Sequence, residues 1–179
     1  MNDMRAAVFI DNGYLAMILK HEFDEARLDF RKFSDLLVGP DYERLRTYLY
    51  YCMPFQGNPP TRKESERYER AQKWINKLQC LPRFEVRFGR LARKGASFEQ
   101  KRVDVLLSVD LVRMSWDHQI QKAVVVTGDS DFVPAVQAAK DAGVLTHLFF
   151  SRNSCHRELL LAFDERTQIT EELIGQCRF

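Results

Sequence analysis

Short apolar runs alternate with longer amphipathic stretches along this chain. Residues 6–10, Ala-Ala-Val-Phe-Ile, form an unbroken apolar block that stops at Asp11-Asn12-Gly13. The block is too short for a helix with its own core and ends in turn formers, so it predicts a buried parallel strand. A helix over 14–20 should follow, with Asp11 or Asn12 near its start. In 28–37, Phe30, Phe33, Leu36 and Leu37 recur at helical spacing until Gly39-Pro40 stops them. Residues 45–53, rich in Tyr and Leu, predict a strand. A loop over 54–63 contains Gly57-Asn58-Pro59-Pro60. Residues 64–81 predict a charged helix with Tyr68, Ala71, Trp74, Ile75 and Leu78 facing inward. In 84–91, Phe84, Val86 and Phe88 alternate with basic residues, the pattern of a half-exposed strand near an edge.

The second half repeats the alternation. Residues 94–102 read as a polar loop, and 103–114 as a helix apolar around most of its surface and therefore buried. A Val-rich strand over 123–127 ends at Gly128. A helix over 131–142 ends at Gly143, a strand covers 144–150, a loop 151–154, and a helix 158–163. Strands alternating with helices predict an α/β fold, a parallel sheet with helices on both faces. No repeat, low-complexity tract or composition break divides the chain, so 1–179 reads as a single domain.

Composition narrows the class. The 179 residues are 45% hydrophobic and 29% charged, which suits a folded domain with a real core. A net charge of +2 does not by itself indicate nucleic acid; the distribution of charge matters more. No apolar run is long enough to span a membrane, and residues 1–5 lack the basic start and apolar stretch of a secretory signal. A cytoplasmic location is the expectation. Cys52, Cys80, Cys155 and Cys177 are scattered without zinc-site spacing, so free thiols are expected, Cys52 as a small buried hydrophobe.

The candidate chemistry lies in the aspartates. In an open parallel sheet, sites form at the carboxyl ends of the strands. Asp11 ends the first strand, and Asp129 and Asp131 follow the Val124-Val125-Val126 strand. If these strands are neighbours, the carboxylates converge. Asp104 begins the apolar helix, where the helix dipole alone would favour a carboxylate. Converging carboxylates repel, and some take up protons unless a cation intervenes. An oxygen-rich site suits Mg²⁺ or Mn²⁺, which support phosphodiester hydrolysis without a Ser or Cys nucleophile. Any one Asp at a strand-to-helix turn is more often a cap than a ligand, and Ser130 could equally be the cap. Two acids in Gly128-Asp129-Ser130-Asp131-Phe132, with Asp11 on the same edge, favour a shared site. Asp110 lies six positions after Asp104 and points elsewhere on the helix, which suits a structural or supporting role. Asn12 and Thr127 flank the acids and could orient them.

Three segments together resemble the NYN family of PIN-like ribonucleases, and its LabA-like branch. Phe9-Ile10-Asp11-Asn12-Gly13-Tyr14 is similar to the first motif. Lys101-Arg102-Val103-Asp104-Val105, followed by Asp110, is similar to the central one. Thr127-Gly128-Asp129-Ser130-Asp131-Phe132, followed by Val133 and Pro134, is similar to the last. The resemblance implies a Rossmann-like, PIN-type sheet, a divalent metal and RNA cleavage. It makes Asp11, Asp104 and Asp129 the expected metal ligands and Asp131 a fourth acid or water-positioning group. PIN-like domains often work in assemblies, so a homodimer or larger assembly is consistent with it, though no residue here argues for one. Residues 16–93 match no motif.

Basic residues fall into three groups. Arg62, Lys63, Arg67 and Arg70 are interleaved with Glu64, Glu66 and Glu69 and read as solvated surface. Arg93, Lys94, Lys101 and Arg102, with Arg90, directly precede Asp104 and could deliver a nucleic-acid backbone to it. Arg152 and Arg157 form the third group. Tyr14 and Phe132 could stack on bases or belong to the core, the core being preferred for Phe132. His156 reads as surface. The leading expectation is an endoribonuclease acting on RNA or single-stranded DNA; the alternative is a binding or regulatory module that hydrolyses nothing efficiently. A phosphatase would need a second Asp two residues after Asp11, where Gly13 stands.

Overall fold

The computed structural model describes residues 4–94, 97–101 and 103–179, with side chains placed outside 90–102. In chain order the elements begin with β1 (Arg5–Asp11), α1 (Asn12–Glu22), α2 (Phe30–Val38), β2 (Glu43–Tyr51), α3 (Arg62–Gln79) and β3 (Phe84–Phe88). A hairpin, β4 (Arg90–Lys94) and β5 (Ser97–Lys101), leads to α4 (Val103–Trp116) and β6 (Lys122–Val126). A 3-10 turn (Ser130–Phe132) precedes α5 (Val133–Asp141), β7 (Leu145–Phe150), α6 (Arg157–Ala162), β8 (Glu165–Gln168) and α7 (Glu171–Cys177).

Six strands pair in the order β3-β2-β1-β6-β7-β8, all parallel. The chain builds outward from β1 in one direction, then returns to the other side of β1 and builds outward again. The order therefore reverses between β1 and β6, and the helices leaving these two strands part to opposite faces. That switch point opens a crevice at the carboxyl ends of the strands.

Residue parity along the strands assigns the two cores. Ala6, Val8, Ile10, Leu49, Val124 and Val126 pack with α1, α2, α3 and α7. Ala7, Phe9, Tyr48, Tyr50, Ala123 and Val125 pack with α4, α5 and α6. β1 is buried on both faces, which is why it reads as a continuous apolar run rather than an alternating one. Each fully buried Val, Ile or Phe there contributes about 1.5–3 kcal/mol.

The helix starts are written locally. Asp29 caps α2 by accepting the Arg31 and Lys32 N–H groups, and Thr61 and Glu64 form a reciprocal capping box on α3. Gly39, at φ 79°, ends α2 in a conformation that favours glycine.

Four expectations need correction. Within the stretch 94–102, expected to be a loop, Lys94 and Ser97–Lys101 belong to the antiparallel β4–β5 pair, their pattern hidden by mostly polar side chains, and the rest of it lies outside the described residues. Helix α4 is not buried all round: Val105, Val109 and Trp116 are exposed, because only one face meets the sheet. The helix expected from Asp131 opens as a 3-10 turn and becomes α-helical only at Val133, beside Pro134, which suits a first turn. Strand β8 and helix α7 were not expected at all. β8 (Glu-Arg-Thr-Gln) is a polar edge strand without the apolar pattern of a strand.

Candidate active site

Asp11 closes β1 and caps α1: its Oδ1 accepts the Tyr14 N–H at 3.2 Å. Its Oδ2 accepts the Thr127 hydroxyl at 3.2 Å. Thr127 is fully buried at the end of β6, and its hydroxyl also accepts the Asp129 N–H at 3.3 Å. One threonine thus ties the end of β1 to the loop after β6, across the switch point. Asp129 Oδ1 accepts the Asp131 N–H at 3.0 Å and caps the 3-10 turn. The cap reading of Asp11 and Asp129 holds: each caps the turn that follows it, Asp11 with its second oxygen on the Thr127 hydroxyl.

Asp104 stands in the first turn of α4, on the same side of the sheet as the 3-10 turn. Burial raises the Asp104 carboxyl above the ordinary range, and the Asp129 and Asp131 charges push it further. Asp11 is also raised, by burial first and by Asp104 in part, against the lowering hydrogen bonds from Tyr14, Thr127 and Gly13. Cys52, one residue past β2, is held up by burial and by the charges of Asp104 and Asp11. The charges of Asp104, Asp129 and Asp131 thus act on one another, and that of Asp104 on Asp11.

The loop that carries Asp129 is held by close packing. A Cβ on Gly128 would sit 3.0 Å from Tyr14 Cζ, and nearer still to Tyr14 Cε2 and the Ser154 carbonyl oxygen. Only glycine fits between these two neighbours. Tyr14 is buried, and its hydroxyl oxygen accepts the Ser151 N–H at 2.7 Å, so it is core rather than a stacking surface. Phe132 is fully buried, as expected.

The other candidates separate. Asp110 is buried below the site, accepting the Tyr50 hydroxyl at 3.0 Å and flanked by Arg87 at 3.4 Å and Arg113 at 3.5 Å. Its partners make it a structural carboxylate of the α4–sheet interface. Asn12 is buried in the first turn of α1. Arg152 is exposed in the loop after β7. Arg102, and the side chains of Arg93, Lys94 and Lys101, lie outside the described residues. Ser130 hydrogen-bonds His156 Nδ1 at 3.2 Å. That brings to the rim of the site a histidine that sequence reasoning leaves on the surface; no local signal marks it, since the contact spans two loops.

Among the described residues no three His, Cys, Asp or Glu side chains are grouped closely enough to grip one metal ion together. The donor chemistry nonetheless fits a hard cation that keeps most of its waters and touches one or two carboxylates.

A parallel sheet built outward in both directions from β1, with helices on both faces, defines the class, a Rossmann-like α/β protein. The chain belongs to the NYN domain family, whose model matches residues 5–170. The family carries a nuclease-like fold. A crystal structure of a protein of unknown function from Vibrio parahaemolyticus is similar over 99% of this chain and 98% of its own, at 14% identity and a TM-score of 0.67. That likeness concerns the fold alone. A UDP-glucosyltransferase from Polygonum tinctorium, at 15% identity, aligns with 83% of this chain and 29% of its own with a TM-score of 0.36, too low to bear on the fold or site. Among curated proteins no sequence matches.

Proposed function

We propose that this protein is a metal-dependent nuclease, an endoribonuclease that hydrolyses phosphodiester bonds of single-stranded RNA at the crevice between β1 and β6. The observation that carries it is that Thr127 ties Asp11 to the Asp129 N–H across the β1–β6 switch point, with the Asp104 carboxyl raised by burial and then by the charges of Asp129 and Asp131. Buried carboxylates that repel one another are costly unless a positive ion joins them.

One or two of Asp11, Asp104 and Asp129 at a time would hold Mg²⁺ or Mn²⁺, the rest reaching it through its waters, with Asp131 as the fourth acid. When bound, such an ion supplies Lewis acidity at the phosphate and an activated water. The chain's own part is positioning. Thr127 and the Tyr14 N–H fix both oxygens of Asp11, and the Asp131 N–H fixes one oxygen of Asp129. Asp104 makes no such bond among the described residues and can adjust to the substrate. Ser130 and His156 form the rim that a strand would cross.

A second reading, a nucleic-acid-binding or regulatory module without efficient turnover, is favoured by the absence of a closed three-ligand group among the described residues. No helix among those residues is long and apolar enough to cross a membrane.

Labelled single-stranded RNA and DNA, incubated with Mn²⁺, Mg²⁺ or EDTA, separate the two readings. Asp129→Asn, purified identically, serves as the control. Metal-dependent cutting lost in the variant supports the nuclease. Metal binding without cutting supports the module. Cutting that survives the substitution overturns this assignment of the site.

A further inference from the structure

The end of β2 faces two ways. Cys52 lies close enough to Asp11 and Asp104 to feel their charges. Tyr51, one residue earlier, turns to the opposite face and meets Trp74 of α3 edge-on, with ring centroids 5.4 Å apart. There a cleft of about 690 Å³ opens, lined among others by Asn12, Tyr51, Trp74, Arg27, Lys77 and Phe179. Asn12 is the residue after Asp11, so the cleft begins where the acid cluster ends.

Helix α3 continues this surface. Lys63, Arg67, Arg70, Trp74 and Lys77 recur at i, i+4, i+7, i+11 and i+14, a single stripe along the helix. Two of the three interleaved acids are already engaged near the start of the helix. Glu64 is engaged at the cap by Thr61, and Glu66 pairs with Arg62 at 2.8 Å. Glu64 and Glu66 still border a groove with Lys63, Arg67 and Arg70. Arg67 stands close enough to Tyr51 for its charge to act on the phenol, so stripe and cleft are one continuous surface.

We infer that this cleft and stripe form a nucleotide-binding subsite for the substrate strand: a base stacks on the Tyr51–Trp74 pair, and its phosphates run along Lys77, Arg70 and Arg67, with Arg27 on the far wall. The inference rests on the nuclease reading above. Its occupant follows from the chemistry. The volume fits a nucleotide, aromatic faces accept any base, and a line of cations tracks a phosphate backbone. The Asn12 amide offers both a donor and an acceptor to a base edge.

Trp116→Phe leaves Trp74 as the sole tryptophan. In this variant, Trp74 fluorescence is titrated with a single-stranded oligonucleotide and with adenosine monophosphate. Ca²⁺ replaces Mg²⁺, and strand integrity is checked on a gel. Saturable quenching by the oligonucleotide is expected, with affinity weakened roughly tenfold by Lys77→Ala or Arg27→Ala, as for loss of a charge-assisted contact. Both are exposed positions, and thermal melts confirm folding. Metal-dependent cutting by wild type, with no quenching and unaltered affinity in both variants, overturns the subsite and leaves the nuclease standing. Quenching by the mononucleotide but not the strand also overturns it, assigning the cleft to a small ligand. Neither cutting nor binding of any strand overturns the nuclease reading and the subsite with it.

Discussion

A methyl group added at Gly128 has nowhere to go. Its carbon would lie 3.0 Å from Tyr14 Cζ and closer to Tyr14 Cε2 and to the Ser154 carbonyl oxygen, whereas non-bonded carbons settle about 3.5–4.0 Å apart. Neither neighbour yields cheaply. The oxygen is backbone, and the Tyr14 ring is buried and anchored by the Ser151 N–H. Relief requires the loop after β6 to move outward by roughly 1 Å, at a cost near the upper end of overpacking, about 3 kcal/mol. For a domain of this length each kcal/mol lowers Tm by about 2–4 °C, so Gly128→Ala should melt roughly 6–12 °C below wild type. Asp129 is the next residue, so the same shift displaces its carboxylate, and a misplacement of ~1 Å costs about 100-fold in rate. Calorimetry and strand cleavage read the two effects. Gly175→Ala is the control: it lies in α7 with nothing within 4 Å, and alanine is the better helix former. A Gly128→Ala protein that melts within 2 °C of wild type and cuts at an undiminished rate would refute the reasoning.

Two further predictions follow from the same crevice. Thr127→Val removes the hydroxyl that joins Asp11 to the Asp129 N–H; with that half-buried N–H unpaired the loss should be about 1 kcal/mol in stability, together with cleavage. Thr127→Ser should retain most of both, and equal behaviour of the two variants would show that the hydroxyl is idle. Asp11 and Asp104 have carboxyls raised above 3.8 by burial first, so in metal-free buffer the folded state holds more protons than the unfolded chain. Their contribution to stability is fully present below that value and lost as pH rises through the folded pKa. Asp11→Asn and Asp104→Asn should therefore raise Tm at pH 7 without metal, flatten that pH slope and abolish cutting, the cap of α1 being kept because asparagine caps a helix as well as aspartate. Mn²⁺ at 100 times its Kd should stabilise wild type by about 2.7 kcal/mol and the variants by less; a lowered Tm in both metal-free variants would contradict the desolvation argument.

Much of the architecture was legible because local pattern and tertiary demand agree. The block Ala6–Ile10 reads as a buried strand because both faces of β1 are covered. Asp11, Asp129 and Asp131 stand out because turn residues follow apolar strands. The β4–β5 pair and the edge strand β8 are not legible, since each is mostly polar and takes its conformation from backbone pairing. Phe132 was read as core from its own chemistry, but the fate of Tyr14 was open until the Ser151 N–H was seen on its hydroxyl oxygen.

The sequence alone determined most of the strands and helices, which acids end them, and that parallel crossovers join them, because each depends on residues within a few positions of one another. It also carried the three motifs of the family. Only the tertiary structure decided that β1 and β6 are neighbours with the switch point between them. That neighbourhood is what brings Thr127 to Asp11 across a separation of 116 residues, requires glycine at 128, and turns α3's interleaved charges into a cationic stripe beside Tyr51 and Trp74. These are contacts between residues distant along the chain, and their partners are chosen by the packing of whole layers, which no local pattern encodes.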